Sequence, residues 1–156
     1  MEIERKYKVK KDLWAELDKP AGEKIIQAYL CSGKDGVIRV RVRNNQGSMA
    51  IKGKTTNISR EEFEFPVPVD IANEIIKKFA AGTIEKIRYI IPYKGKTWEV
   101  DEFSGHNEGL IIAEIELNSE DEVFELPEWV GKEVSDDSRY FNASLSHHPY
   151  EEWKDK

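Results

Sequence analysis

Apolar and polar side chains alternate with a period of two along most of this chain, the spacing of strands whose successive side chains point to opposite faces. The alternation predicts strands near residues 2–9, 24–32, 37–43, 48–54, 60–67, 84–91, 97–103 and 110–117. Between them lie Gly33-Lys34-Asp35-Gly36, Asn44-Asn45-Gln46-Gly47, Thr55-Thr56-Asn57 and Tyr93-Lys94-Gly95-Lys96, residues that accept turn dihedrals and so mark hairpin reversals. One helix is predicted after Pro68, capped by Asp70, running from Ile71 to Ala80 and ended by Gly82; Ile71, Ile75, Ile76 and Phe79 share one of its faces. A short helix is predicted over 11–17. Another is predicted near the C-terminus, capped by Asp136 or Asp137 and carrying Tyr140, Phe141 and Leu145.

The polar faces of these strands are charged almost throughout. Glu2, Glu4, Lys6 and Lys8 oppose Ile3, Tyr7 and Val9, and Arg39, Arg41 and Arg43 oppose Ile38, Val40 and Val42. Lys52 follows Ile51, Glu62 and Glu64 flank Phe63, Lys86 and Arg88 flank Ile87, Glu99 and Asp101 flank Val100, and Glu114 and Glu116 flank Ile115. Like charges at i, i+2 repel one another on a strand face, and a solvated face draws more on Thr, Ser, Gln and Asn. A sheet closed on itself with its charged faces inward resolves the conflict, because about eight strands enclose room for side chains and one small ligand. Buried carboxylates and guanidinium groups need partners or bound ions, so such an interior implies a ligand. Hard cations such as Mg²⁺ or Mn²⁺ take oxygen ligands and bridge to phosphates, while Arg and Lys suit phosphate itself. The ligand class that satisfies both halves is a metal-polyphosphate complex.

Length and composition narrow this further. The chain has 156 residues, 39% hydrophobic and 35% charged, which fits a single folded domain over 1–156. A formal net charge of −6 argues against general adhesion to nucleic acid or to an anionic membrane. The single cysteine, Cys31, forms no internal disulfide and builds no zinc site by itself, which suits a reducing compartment. The N-terminal MEIERKYKVKK carries no apolar signal region, so a cytoplasmic protein is expected.

The opening EIERK, an E-x-E-x-K strand, resembles the signature of the CYTH superfamily of triphosphate tunnel metalloenzymes. The resemblance continues in order through Gln27-Ala28-Tyr29-Leu30, Ile38-Arg39-Val40-Arg41, Ala50-Ile51-Lys52-Gly53 and Arg60-Glu61-Glu62-Phe63-Glu64, and then through Glu85-Lys86-Ile87-Arg88-Tyr89, Trp98-Glu99-Val100-Asp101, Ala113-Glu114-Ile115-Glu116 and Glu133-Val134-Ser135-Asp136-Asp137. It implies a mainly β fold of the α+β kind: a closed eight-stranded antiparallel β-barrel, or tunnel, with a charged interior and a few helices packed outside. It implies an inorganic triphosphatase that hydrolyses tripolyphosphate to pyrophosphate and phosphate with Mg²⁺ or Mn²⁺, and leaves room for a homodimer. Glu2, Glu4, Glu114 and Glu116 are the implied metal ligands, with Asp101, Glu62 and Glu64 completing the acidic side by holding a second metal or orienting water. Lys6, Lys8, Arg39, Arg41, Lys52, Lys86 and Arg88 are implied to hold the phosphate chain, and Tyr29 with Lys86 matches a dyad in related hydrolases. In-line attack by a water activated by metal is the implied chemistry.

Three other readings use the same fold: a class IV adenylyl cyclase, a thiamine triphosphatase and a non-catalytic polyphosphate- or nucleotide-binding module. The chain lacks the family's cyclase-type His-Phe element, and acids on both early and late strands disfavour mere binding of a polyanion. Trp14, Trp129 or Trp153 at the tunnel mouth would suit thiamine, but core packing is their more common role. His147 and His148 lack an identifiable third ligand and read as tail decoration.

Overall fold

The structure is a computed structural model that describes residues 1–154. Its strands are β1 (Glu2–Val9), β2 (Glu23–Gly33), β3 (Gly36–Arg43), β4 (Gln46–Gly53), β5 (Ser59–Arg60), β6 (Glu62–Val67), β7 (Gly82–Tyr93), β8 (Lys96–Phe103), β9 (Ile111–Glu116) and β10 (Val130–Glu133); its helices are α1 (Lys11–Glu16), α2 (Val69–Phe79) and α3 (Asn142–Leu145). The strands form one sheet in the order β10-β1-β9-β8-β7-β2-β3-β4-β6, with antiparallel ladders throughout. Two hairpins owe their register to residues in the left-handed region. Asn44 (φ 51°) and Asn45 (φ 58°) turn β3 into β4, and Lys94 (φ 49°) and Gly95 (φ 80°) turn β7 into β8. Two such residues in a row match the right-handed twist of the strands they join.

The expected strand over 60–67 divides at Glu61. Its first part, β5, pairs with β1 (Glu2↔Arg60, Ile3↔Ser59), and its second, β6, pairs with β4 along its length. One segment thus touches both ends of the sheet and brings eight strands into a ring, closed by two residue pairs and the adjoining Glu4 N–H bond to Ile58 O at 3.2 Å. The rest of that edge of β1 is taken by β10, a short strand whose sequence carries no alternation.

Side chains at even positions of β1, β8-paired β9 and β6, and at odd positions of β2 and β3, share the inner face by register, so the charged faces do turn inward. The outer faces of β1, β8 and β9 carry Tyr7, Trp98, Val100, Ala113 and Ile115, packed under Trp14 of α1 and Trp129. Edge-on ring contacts of 5.2 Å (Trp14–Trp129) and 5.6 Å (Tyr7–Trp98) order this layer. A second cluster lies inside one end of the ring. Ile84, Phe103 and Ile112 stand two residues from Lys86, Asp101 and Glu114 on the same face, and they pack with Val134, Tyr140, Leu145 and Trp153. The interior is therefore charged along part of its length and apolar at one end, and the C-terminal segment packs onto that end rather than against an outer face.

The helices depart from expectation in two places. Pro68, not Asp70, occupies the N-cap of α2; Asp70 lies in the first turn, where its charge favours the positive end of the helix dipole. Of the residues on α2, only Ala72 is buried, while Ile71 and Phe79 of the expected apolar face are 49% and 68% exposed. The C-terminal helix breaks at Phe141, which is extended (φ −73°, ψ 137°). It leaves a 3-10 turn over Ser138–Tyr140, capped by Asp137 through Arg139 N, and the separate α3.

Candidate active site

The ring encloses a cavity of about 290 Å³. Nine basic residues line it against three acidic ones, Glu2, Glu4 and Glu114, in a protein whose formal net charge is −6. Lys6, Arg39, Arg41, Lys52, Arg60, Lys86 and Arg88 come from the walls, and Lys34 and Lys54 from the exposed β2–β3 turn and the segment after β4. Acids outside the lining already compensate four of the wall cations, Asp101 and Glu99 for Lys86 and Arg88, Glu62 for Lys52 and Glu64 for Arg39, so the demand for an anion falls on the guanidinium donors these acids leave unmet.

The three acids are held by cations already present. Lys6 Nζ lies 3.1 Å from Glu4 Oε1 and 2.7 Å from Glu114 Oε1, and Glu2 accepts from Lys52 at 3.4 Å and Arg60 at 3.2 Å. The basic wall is less complete. Arg39 donates from Nη2 to Glu64 at 2.7 Å, but its buried Nε–H meets no acceptor among the described residues. Arg41 donates through Nε and Nη2 to the neutral Gln27 Oε1, at 3.0 and 2.8 Å.

Burial and neighbours set the ionisation of these groups. Burial, reinforced by Glu114, pushes the Glu4 carboxyl up to about 7 against the pull of Lys6. Burial opposes ionisation of Glu114 too, but Lys6, Arg88 and Lys86 overcome it and hold that carboxylate well below its ordinary range. Burial pushes the Lys86 ammonium down to about 7 despite Asp101, and pushes Arg41 down to about 10 with Arg39 and Arg88 adding to the effect. One acid that keeps its proton near neutrality and one base that readily loses its proton thus share a cavity, a pattern associated with reactive sites.

The residues expected at the site separate into two groups. Glu2, Glu4, Glu114, Lys6, Tyr29, Arg39, Arg41, Lys52, Lys86 and Arg88 all line the cavity. Five others take different places. Lys8, opposite Ile112 at the apolar end, is exposed, and so is Glu116 at the end of β9. Glu62 and Glu64 stand behind the lining as partners of Lys52 (3.1 Å) and Arg39. Asp101 is 1% exposed with both oxygens engaged by cations: Arg88 Nε at 2.7 Å and Nη2 at 2.9 Å, and Lys86 Nζ at 2.8 Å. Tyr29 and Lys86 do not bond to each other; Gln27 and Asn142 stand between them.

Arg60, Gln27 and Asn142 were not singled out by sequence pattern. Strand parity contains the signal for the first two, since Arg60 keeps phase with Glu62, and Gln27 with Tyr29. Asn142 sits on a helix of four residues, where alternation says nothing. The tryptophans Trp14, Trp129 and Trp153 are buried in the core, so none forms a platform at the mouth.

Glu2, Glu4 and Glu114 offer the all-oxygen donor set that hard divalent cations prefer. As arranged here, no three acid, His or Cys side chains among the described residues converge as a metal cluster, because Lys6 sits between Glu4 and Glu114. The raised Glu4 carboxyl supports the chemical fit: burial and then the neighbouring Glu114 charge disfavour its ionised form, and a cation would relieve both.

Comparison with known proteins places this geometry in a family. The model of the CYTH domain matches residues 1–150. The chain is 47% identical over 155 residues, 99% of its own length and 98% of the other's, to a protein of Acetivibrio thermocellus named inorganic triphosphatase. It is 33% identical over 150 residues, 93% and 96% of the two lengths, to a Nitrosomonas europaea protein of the same name. The crystal structure of an inorganic triphosphatase matches with a TM-score of 0.67 at 29% identity, covering 94% of each chain. By the span of that family model and the closeness of these relatives, the chain belongs to the CYTH domain family.

Proposed function

We propose that this protein is an inorganic triphosphatase, hydrolysing tripolyphosphate to pyrophosphate and phosphate with Mg²⁺ or Mn²⁺ in the cytoplasm. The observation that carries the reading is the pair of cavity-lining guanidiniums whose donors meet no acid: the buried Arg39 Nε–H without an acceptor and the Arg41 fork held by the neutral Gln27. The curated relatives, both named inorganic triphosphatase, favour the same substrate class.

Arg39, Arg41, Lys52 and Arg88 bind and orient the phosphate chain, through directed guanidinium forks and the Lys52 ammonium. Lys6 pairs with Glu4 and Glu114 and fixes their spacing, while Lys52 and Arg60 hold Glu2. Glu2, Glu4 and Glu114 are the residues that would hold a divalent cation; the chemistry it supplies when bound is Lewis acidity toward phosphate oxygens and water. Lys86 Nζ, with its affinity for a proton lowered to about 7, holds or releases a proton beside the leaving oxygen, and Tyr29 Oη orients that oxygen. Preorganised donors aimed at the equatorial oxygens stabilise the charge that develops in phosphoryl transfer.

The test is phosphate release from tripolyphosphate, ATP and thiamine triphosphate with Mg²⁺ or Mn²⁺, beside a Glu4→Gln control. Preference for tripolyphosphate that disappears in the control supports the reading. Tight tripolyphosphate binding with no release from any of the three would replace it with a binding module.

A further inference from the structure

We infer that Asn142, delivered by the C-terminal segment, is a positioning residue that sets the orientation of Lys86, Gln27, Tyr29 and Arg41 at the cavity wall; the inference rests on the triphosphatase reading. Asn142 Oδ1 accepts from Lys86 Nζ at 2.8 Å and from Gln27 Nε2 at 3.3 Å. Gln27 Nε2 also donates to Tyr29 Oη at 2.9 Å, and Gln27 Oε1 receives both Arg41 donors.

The donor and acceptor chemistry leaves one arrangement. A guanidinium only donates, so Gln27 must turn its oxygen to Arg41 and its NH₂ group toward Tyr29 and Asn142. The Gln27 NH₂ group so placed only donates, so Asn142 must present its oxygen to it and to Lys86 Nζ. Lys86 then spends one hydrogen on Asp101 and one on Asn142, leaving the third for the cavity. Tyr29 Oη, already an acceptor, is left with its hydroxyl hydrogen for a phosphate oxygen. Flipping either amide would set donor against donor.

The one member of this chain of bonds that does not belong to the barrel is Asn142, and the fold makes room to bring it in. A Cβ at Gly82, the first residue of β7, would lie 2.5 Å from Ser146 O, so only glycine lets the end of α3 lie this close to the strand. Leu145, on the other side of the same short helix, is buried in the apolar end. The segment that fills the end of the ring therefore also supplies an acceptor to the reacting end of the site.

The experiment compares Asn142→Ala, Asn142→Asp and Leu145→Ala with the wild type, with and without Lys86→Ala. Asn142→Ala is expected to lower kcat for tripolyphosphate by about 10- to 100-fold while KM moves by less than about threefold, the size of effect that a small misplacement of a reacting group produces. Asn142→Asp keeps acceptor oxygens facing Lys86 and Gln27, so the Gln27 resonances stay near those of the wild type, while its added charge favours the Lys86 ammonium and moves the kcat–pH profile to higher pH. In the Lys86→Ala background, Asn142→Ala has a smaller effect than in the wild type, because the share of its loss that runs through the Lys86 bond is already gone while the share through Gln27 remains. Leu145→Ala lowers Tm without the same fall in kcat. Side-chain amide resonances of Gln27, read by ¹⁵N NMR, shift in Asn142→Ala but not in Leu145→Ala.

Wild-type kcat in Asn142→Ala, full additivity with Lys86→Ala, or unchanged Gln27 resonances would each overturn the inference. A wild type without tripolyphosphate hydrolysis would instead remove the functional reading, and the Gln27 resonances would still decide whether Asn142 holds the network.

Discussion

Arg88 grips Asp101 in a two-pronged pair, Nε to Oδ1 at 2.7 Å and Nη2 to Oδ2 at 2.9 Å, with both side chains almost wholly out of solvent. Burial alone would raise the Asp101 carboxyl, but Lys86 and Arg88 hold it at about 2. Asp101→Ala leaves two buried cations without their anion, and loss of one partner from a buried ion pair costs about 3–5 kcal/mol. Urea unfolding at neutral pH measures this; a loss below about 1 kcal/mol would show that the pair is not a structural anchor.

Glu4 responds to pH in the opposite sense. Its pKa rises from 4.5 to about 7 on folding, so the native state keeps a proton that the unfolded chain releases. Stability of the metal-free protein therefore falls as pH rises from about 4.5 to about 7. Glu4→Gln removes that decline, so in chelator the variant is more stable than the wild type above pH 7, by about 1–3 kcal/mol, and the two converge below pH 4.5. Chemical denaturation across this range checks the crossover, and parallel curves would rule the mechanism out.

Divalent cation should reverse that order. Under the proposed function, Mg²⁺ or Mn²⁺ bound to the native state alone adds about 2.7 kcal/mol at a hundredfold excess over Kd. Wild-type Tm rises on titration with either cation and that of Glu4→Gln rises less. Equal shifts in the two proteins would place the cation elsewhere.

Arg39 offers the sharpest test of phosphate binding. Arg39→Lys keeps a positive charge but removes the Nε–H that lacks an acceptor. Tripolyphosphate KM is expected to rise about 10- to 100-fold, the size of one or two charge-assisted hydrogen bonds. Unfolding, followed by circular dichroism, should change little; an unaltered KM would remove Arg39 from the binding set.

Lys8 and Glu116 share the alternation of the site residues yet are exposed. Lys8→Ala and Glu116→Gln should each change kcat/KM by less than about threefold, because solvent screens charges at this exposure. A hundredfold loss in either would return that residue to the site.

Period-two alternation made the walls of this site legible, since parity alone turns Glu4, Lys6, Arg39 and Lys86 to one face. Parity cannot say how far along the ring a position stands. Glu116 and Glu114 alternate identically, but one is exposed at the end of β9 and the other is buried, and Lys8 falls at the apolar end beside Ile112. Nor does it report which acids are already taken: Asp101 reads like Glu114 until Arg88 and Lys86 are seen on its two oxygens. Asn142 was invisible for a different reason. Its role comes from a contact 56 residues away in sequence, made by a helix too short to carry a pattern.

The two-pair joint at β5 has a dynamic consequence. A ring opens where its ladder is shortest, and here Glu2↔Arg60, Ile3↔Ser59 and the single Glu4–Ile58 bond do what eight pairs do between β3 and β4. The amides of this joint should exchange with solvent well before those of β2, β3 and β7, so the wall breathes at one place while the opposite wall stays shut. Because Glu2 and Arg60 are themselves cavity residues, each such opening loosens the acidic corner first and leaves the guanidinium-rich side in place.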